Sequence, residues 1–117
     1  MLRAWRATVN SWHGLAFAIR SEQAIREELA ALILSVPLAW LIGTTLARRV
    51  EMVAVILLLL VVELLNTAIE KLADRLTTDH DPQIGRVKDM GSAAVGVALI
   101  IAAMVWVLAL AECVGLL

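Results

Sequence analysis

The sequence has few of the residues that several common kinds of functional site require. Its single cysteine, Cys113, excludes an intrachain disulfide and a cysteine-cluster metal site, and we interpret it as a buried, inert thiol. The formal net charge is −1, from 10 basic and 11 acidic residues, so no basic surplus indicates nucleic acid as a partner. The two histidines, His13 and His80, are isolated along the chain, and neither is predicted to bind a metal.

Several sequence motifs are also missing. The glycine-rich phosphate loop G-x-x-x-x-G-K-[ST] and the protein-kinase signature are absent, which excludes the soluble nucleotide-binding folds built on them. Arg3 and Arg6 are not followed by an apolar core and a small-residue cleavage site, so no cleaved signal peptide is predicted. What the chain does contain is 62% hydrophobic residues and a mean hydropathy of +0.88, which predicts one integral membrane domain over residues 1–117.

Three apolar segments approach the roughly 20 residues that a helix needs to cross a bilayer. Residues 29–47 carry no charge, residues 52–69 are interrupted only by Glu63 and Asn66, and residues 90–111 carry no charge. A short turn at 48–51 is predicted between the first two, and a polar loop at 76–86 between the last two. Residues 1–20 form an amphipathic pattern typical of a helix lying in the membrane interface. The predicted fold is therefore an all-α membrane protein with one surface helix and three transmembrane helices.

The basic residues predict the orientation of these spans. With three spans, the N-terminal segment and the polar loop lie on the same side, and they carry eight of the ten basic residues. Only Arg48 and Arg49 lie on the other side. The positive-inside rule places the N-terminus and the polar loop on the cytoplasmic side of the membrane, with the C-terminus on the opposite side.

A polar stripe within the second span is the strongest functional signal. At about 100° per residue, Glu63, Asn66, Glu70 and Asp74 fall within a sector roughly 80° wide. An ionised carboxylate in hydrocarbon is costly, so such residues face partners, water or ions and are functional candidates. Four side chains rich in oxygen acceptors on one helical face predict a site for a hard cation.

Other polar residues gather at the same predicted membrane level. Glu22 and Glu28 precede the first span, and Lys88, Asp89 and Ser92 lie where the third begins. Carboxylates bind Mg²⁺, Mg²⁺ bridges phosphates and a lysine neutralises phosphate charge, so this set is typical of phosphoryl transfer from a nucleotide. The alternatives are a surface ion pair between Glu22 and Arg26, and ordinary helix-flanking charges for the residues outside the deep stripe.

These motifs resemble the prokaryotic diacylglycerol kinase family of small integral membrane kinases, over about residues 3–106. The most specific parts are Glu63-Leu-Leu-Asn66-Thr-Ala-Ile-Glu70, followed by Asp74-Arg75, and Lys88-Asp89-Met90-Gly91-Ser92-Ala93-Ala94. The second motif resembles the branch that phosphorylates diacylglycerol rather than the branch that phosphorylates undecaprenol. The chain departs from the family pattern at Asp81, where many members carry histidine, which leaves nucleotide selectivity open.

The resemblance implies a homotrimer whose active sites are shared between subunits, using ATP and Mg²⁺ to phosphorylate the lipid substrate diacylglycerol. It implies that Glu63 is the catalytic base and that Glu22 and Glu70 hold Mg²⁺. Nucleotide or phosphate contacts are implied for several further residues: Arg3, Arg6, Asn66, Asp74, Lys88 and Asp89. Glu28 and Ser92 are implied as supporting or lipid-substrate residues.

Two other classes of function remain open at the level of sequence. A small oligomeric proton-coupled transporter would account for Glu63 but not for the carboxylates and lysine gathered at the cytoplasmic level. A non-catalytic assembly subunit would use polar residues between helices, which suits Asn66 better than several carboxylates.

Overall fold

The computed structural model describes residues 1–117 and is entirely helical. The four helices are α1 (Leu2–Ser21), α2 (Gln23–Ile42), α3 (Leu46–Leu76) and α4 (Pro82–Cys113). The central helix is α3, which packs against both α2 and α4, while α1 has its main contacts with α2. The all-α prediction is confirmed.

Two of the helices, α3 and α4, are long and apolar enough to cross a membrane. The segment predicted as the first span, 29–47, is not one helix, because α2 ends at Ile42 and residues 46–47 belong to α3. Within α2 the uncharged part, 29–42, extends about 21 Å at 1.5 Å per residue, which is less than the ~30 Å thickness of hydrocarbon. The start of α2 carries the charged run Arg26-Glu27-Glu28 instead.

The turn between α2 and α3 lies earlier than predicted, at 43–45 rather than 48–51. Gly43 is buried at this turn, and a Cβ there would lie 2.8 Å from the Ala39 carbonyl oxygen and against the Arg49 side chain. Thr45 then caps α3, since its hydroxyl accepts a hydrogen bond from the Arg48 backbone N–H at 3.1 Å. The predicted position of the turn was wrong because residues 43–45 carry no charge, so the absence of charge does not mark where α2 ends.

The loop between α3 and α4 is shorter than predicted and spans residues 77–81. Asp81 is the N-cap of α4: its carboxylate accepts hydrogen bonds from the backbone N–H groups of Gln83 at 2.9 Å and Ile84 at 3.3 Å. Pro82 occupies the first turn, where a missing N–H is tolerated. Because α4 begins before the predicted third span, Lys88 and Asp89 lie on the same helix as that span.

Small residues allow α4 to approach α3 closely. The buried residues of α4 are Gly91, Ala98, Ala102 and Ala109. Their spacing of seven, four and seven places them on one face of the helix. Most large apolar side chains of α2, α3 and α4 point outward from the single chain. Such an apolar exterior is expected for a chain surrounded by lipid or by further chains.

Side-chain hydrogen bonds join α3 and α4 at the end away from their loop. The Trp106 indole donates to the Met52 carbonyl oxygen at 3.0 Å, and Arg48 Nε donates to Glu112 Oε1 at 2.8 Å. Cys113 is exposed at this end, so the prediction of a buried thiol was wrong. It is the last residue of α4, where no other helix covers it.

Candidate functional site

The polar stripe occupies the half of α3 that leads to the α3–α4 loop. The helix runs unbroken from Leu46 to Leu76 and contains neither glycine nor proline, so the predicted periodicity is preserved. Asn66 is buried and Glu63 is half-buried, whereas Glu70 and Asp74 are exposed. The stripe therefore runs from a covered position within the bundle to the solvent-facing end.

Asn66 links the stripe to α4. Its side-chain amide Nδ2 donates to Glu70 Oε1 at 3.3 Å, while its Oδ1 is buried and has no hydrogen-bond partner. That oxygen lies against Gly91, where an added Cβ would overlap it and would lie 3.3 Å from Asn66 Cγ. Glycine at position 91 thus gives the amide the room it needs to stay oriented towards Glu70.

Glu22 is brought to α3 by the break between α1 and α2. It adopts an extended backbone conformation between the two helices, and its N–H still bonds to the Ala18 carbonyl oxygen. Its carboxylate forms an ion pair with Lys71 Nζ at 2.8 Å. Glu22 therefore lies beside the stripe, paired with Lys71, which directly follows Glu70 in the chain.

The alternative pairing of Glu22 with Arg26 does not form. Arg26 Nη1 instead donates to the carbonyl oxygens of Ile19 at 2.8 Å and Arg20 at 3.1 Å. These are unsatisfied carbonyls of the last turn of α1, so Arg26 acts as a C-terminal cap. This cap stabilises the break between α1 and α2, and so helps to hold Glu22 in position beside α3.

Lys88 connects α4 to the exposed end of the stripe. Its ammonium lies 2.6 Å from Asp74 Oδ1, an ion pair between α3 and α4. Both residues line a polar cavity of about 510 Å³ together with the loop 77–81 and Gly85. Asp89 and Ser92 are exposed on α4 nearby in sequence, and neither forms a side-chain hydrogen bond or an ion pair within the chain. A lysine at the rim of a polar cavity is placed to meet an anionic group.

Glu28 faces Glu63 across the α2–α3 contact. Glu28 is half-buried just before the uncharged segment 29–42, and its Oε2 is buried without a hydrogen-bond partner. Burial, and to a smaller extent the negative charge of Glu63, raises the pKa of Glu28 to about 7. Two carboxylates that share one environment favour a state in which one of them keeps its proton.

The metal ligands implied by the resemblance have the right chemistry but are not assembled into a complete site by one chain. Glu22 and Glu70 offer carboxylate oxygens, the ligand type that Mg²⁺ prefers. No three histidine, cysteine, aspartate or glutamate side chains group at metal-binding distances within the chain. Glu22 and Glu70 are instead held by Lys71 and Asn66.

The remaining predicted site residues, Arg3 and Arg6, are exposed near the start of α1 and form no ion pair within the chain. The sequence did not predict the roles of two residues beside the candidate site. Lys71 forms an ion pair with Glu22, and Gly91 leaves room for the Asn66 amide. A signal for Lys71 was present, since in sequence it lies between Glu70 and Asp74, two acidic residues of the stripe, although on the helix it falls roughly 60° outside their sector. Nothing local marked its partner, because that contact depends on how α1 and α2 are joined.

Comparisons with known proteins agree on one family. A family model described as prokaryotic diacylglycerol kinase matches residues 9–110. The diacylglycerol kinase of Escherichia coli (strain K12) is 39% identical over 104 residues, which cover 89% of this chain and 85% of that protein. The diacylglycerol kinase of Pseudomonas aeruginosa is 40% identical over the same length and coverage. That of Haemophilus influenzae is 38% identical over 100 residues, covering 86% of this chain and 85% of that protein.

Proposed function

The chain belongs to the prokaryotic diacylglycerol kinase family, and from that premise we propose that it phosphorylates the free hydroxyl of diacylglycerol, using ATP and Mg²⁺, to give phosphatidic acid. The observation that carries the proposal is the arrangement around the stripe of α3. Glu63 lies at its covered end, and Glu70 and Asp74 lie at its exposed end. Glu22, at the break between α1 and α2, pairs with Lys71 on α3, and Lys88 on α4 pairs with Asp74. A covered end that a lipid can reach and an exposed end that a soluble nucleotide can reach suit a reaction between the two.

The proposed chemistry begins with the lipid hydroxyl at Glu63. The Glu63 carboxylate accepts the hydroxyl proton as the oxygen attacks the γ-phosphorus of ATP, and ADP leaves with the electron pair of the broken P–O bond. A carboxylate is suited to this role when it is held within the apolar level that a membrane-bound hydroxyl can reach. Its half-buried position next to Glu28 fits that requirement.

The nucleotide is proposed to bind at the exposed end of the stripe. Lys88 would contact its phosphates, with Asn66, Asp74 and Asp89 around them and Arg3 and Arg6 approaching from α1. Glu22 and Glu70 would hold Mg²⁺, which when bound neutralises phosphate charge. Glu28 and Ser92 are proposed to support the site or the lipid substrate. Within the chain, Lys71 pairs with Glu22 and Lys88 pairs with Asp74, so the charges of these two proposed site carboxylates are balanced.

The proposed setting is the bacterial inner membrane, with the site on the cytoplasmic side and the C-terminus opposite. In this arrangement α3 and α4 span the bilayer. The uncharged part of α2, about 21 Å long, is proposed as a third and shorter span that local thinning of the bilayer accommodates, with its charged run Arg26-Glu27-Glu28 at the interface. The chain is proposed to act as a homotrimer with shared sites. The outward-facing apolar side chains of the single chain supply the surface that such packing requires.

One experiment separates this function from its alternatives. The purified protein is given ATP and Mg²⁺ with diacylglycerol, with undecaprenol or with no lipid acceptor, and phosphoryl transfer to the lipid is measured. We expect diacylglycerol to be phosphorylated in preference to undecaprenol. Preference for undecaprenol would assign the chain to the other branch of the family. Absence of transfer to either lipid would favour the transporter or the assembly subunit.

A further inference from the structure

Two neighbouring arginines, at the end of the bundle away from the α3–α4 loop, have different surroundings. Arg48 is held by two carboxylates, Glu51 at 2.7 Å and Glu112 at 2.8 Å. Arg49 has no carboxylate partner within the chain. Its guanidinium carbon lies 4.2 Å from the centroid of the Trp40 ring, and its Nε donates to the Gly43 carbonyl oxygen at 3.0 Å. Arg49 is thus a fixed, half-buried cation whose terminal nitrogens make no hydrogen bond in the chain.

Arg49 lies on the wall of an apolar groove between α2 and α3. The groove has a volume of about 350 Å³, and Arg49 is its single charged lining residue. On α3 the lining continues from Val50 through Ala54 to Leu57, seven residues or about 10 Å along the helix axis. A cation at one end of an apolar channel parallel to the helices matches an amphiphile that stands upright in a bilayer.

We propose that this groove binds an anionic phospholipid, with an acyl chain along α2 and α3 and the headgroup phosphate on Arg49. A planar guanidinium with free terminal donors suits a phosphate, and the Trp40 stack and the Gly43 bond hold it in place. Trp40 also marks the interfacial level at which headgroups lie. The bound lipid is not the substrate, because Arg49 and Glu63 are 14 residues apart on α3, about 21 Å along its axis.

A second copy of the chain is the competing occupant of the groove. To satisfy Arg49, it would have to supply a carboxylate at the same membrane level. The side-chain carboxylates at this end of the chain are those of Glu51 and Glu112, and both already bind Arg48. The unpaired positive charge of Arg49 therefore favours an anionic ligand over a second copy of the chain.

The test measures lipid retention by the purified, assembled protein using native mass spectrometry. Phosphatidylglycerol and phosphatidylcholine with the same acyl chains are compared, so that only the headgroup charge differs. The parent protein is expected to retain phosphatidylglycerol in preference. Arg49→Gln should reduce that preference about fivefold or more, the size expected for the loss of a charge-assisted contact. Arg20→Gln removes the same charge from an exposed position on α1 and should leave the preference unchanged.

Two further variants keep the proposal testable if Arg49→Gln fails to assemble. Ala54→Leu fills the groove, leaves Arg49 in place and should reduce the retention of both lipids. Ala54→Cys in a Cys113→Ser background should not form a disulfide between copies on oxidation. Unchanged retention in Arg49→Gln or in Ala54→Leu, or efficient cross-linking through position 54, would overturn the proposal. Phosphorylation of diacylglycerol is measured separately, so its loss or survival bears only on the site at Glu63.

Discussion

At the scale of single residues, Glu63 is the side chain on which the proposed chemistry depends most. Glu63→Gln keeps the shape of the side chain but removes its ability to accept a proton. We expect kcat to fall by at least ~10²–10⁴-fold, the range typical of a lost general base. Initial rates at saturating lipid and ATP measure this effect. The exposed neighbour variant Glu27→Gln serves as a control, since Glu27 bonds only to Gln23 one turn away. Near-parental kcat in a correctly assembled Glu63→Gln protein would rule out the assigned role.

Glu28 gives a prediction about pH. Its folded pKa of about 7 is raised from 4.5, so the fold favours the protonated form. Its contribution to stability is therefore fully present below about pH 4.5 and is lost as pH rises through 7. Glu28→Gln, which is neutral at every pH, should match the parent protein at acidic pH. Above pH 8 it should exceed the parent in stability by about 1–2 kcal/mol, a value discounted for partial exposure.

Unfolding of both proteins at pH 4 and pH 8.5, followed by far-UV circular dichroism, measures this difference. Glu27→Gln changes the same charge at an exposed position and should show no such pH-dependent gain. An equal stability difference at both pH values would show that Glu28 does not titrate in this window.

Gly91 offers a prediction with a matched control on the same helix. Gly91→Ala places a Cβ against the Asn66 amide, which has to move and so weakens its hydrogen bond to Glu70. We expect a higher Mg²⁺ concentration for half-maximal activity and a loss of stability of about 1–3 kcal/mol. Gly96→Ala enters open space and should be neutral or slightly stabilising, because alanine favours helix. Equal behaviour of the two variants would contradict the positioning role of Gly91.

At the scale of secondary-structure elements, the sequence predicts what is local to one helix. Glu63, Asn66, Glu70 and Asp74 share a face because α3 has no interruption, and helical periodicity alone places them there. The turn at 43–45 was predictable in principle from Gly43 and the capping Thr45. The turn is nevertheless hidden within the uncharged run 29–47, because Gly43, Thr44 and Thr45 carry no charge. The Glu22–Lys71 pair was not predictable in this way, because it requires the geometry of three helices.

That pair leads to a prediction about the metal site. Lys71 holds the Glu22 carboxylate at 2.8 Å, so its ammonium competes with any cation that uses the same oxygens. Lys71→Met should lower the Mg²⁺ concentration for half-maximal activity, whereas Lys71→Arg should leave it close to the parental value. Glu22→Gln and Glu70→Gln should both raise it, because each removes a proposed ligand. Binding of Mn²⁺ to the protein with ATP, followed by electron paramagnetic resonance, gives a readout apart from turnover. Parental Mg²⁺ dependence in both glutamine variants would show that the ligand assignment is wrong.

At the scale of the whole molecule, the single chain has features that other chains would complete. Its large apolar side chains point outward, and no three potential ligands group around one metal position. The polar stripe needs covering in a bilayer, because a carboxylate facing lipid is costly. Small residues on α4 near the stripe, including Ser92, Ala93 and Ala94, are exposed in the single chain and would permit close approach of another helix. These features favour sites shared between subunits.

Mixing two inactive variants tests whether sites are shared. Glu63→Gln and Glu22→Gln chains are each expected to be nearly inactive alone. If one site takes Glu63 from one subunit and Glu22 from its neighbour, random co-assembly of equal amounts restores both intact groups at about a quarter of the interfaces, since each of two positions is correct half of the time. Activity should therefore recover towards that fraction when the variants are unfolded and reassembled together, but not when they are mixed after assembly. Absence of recovery, with co-assembly shown by a tag on one variant, would mean that both residues act within the same chain. The Glu22–Lys71 contact would then describe the site as it stands in the active enzyme.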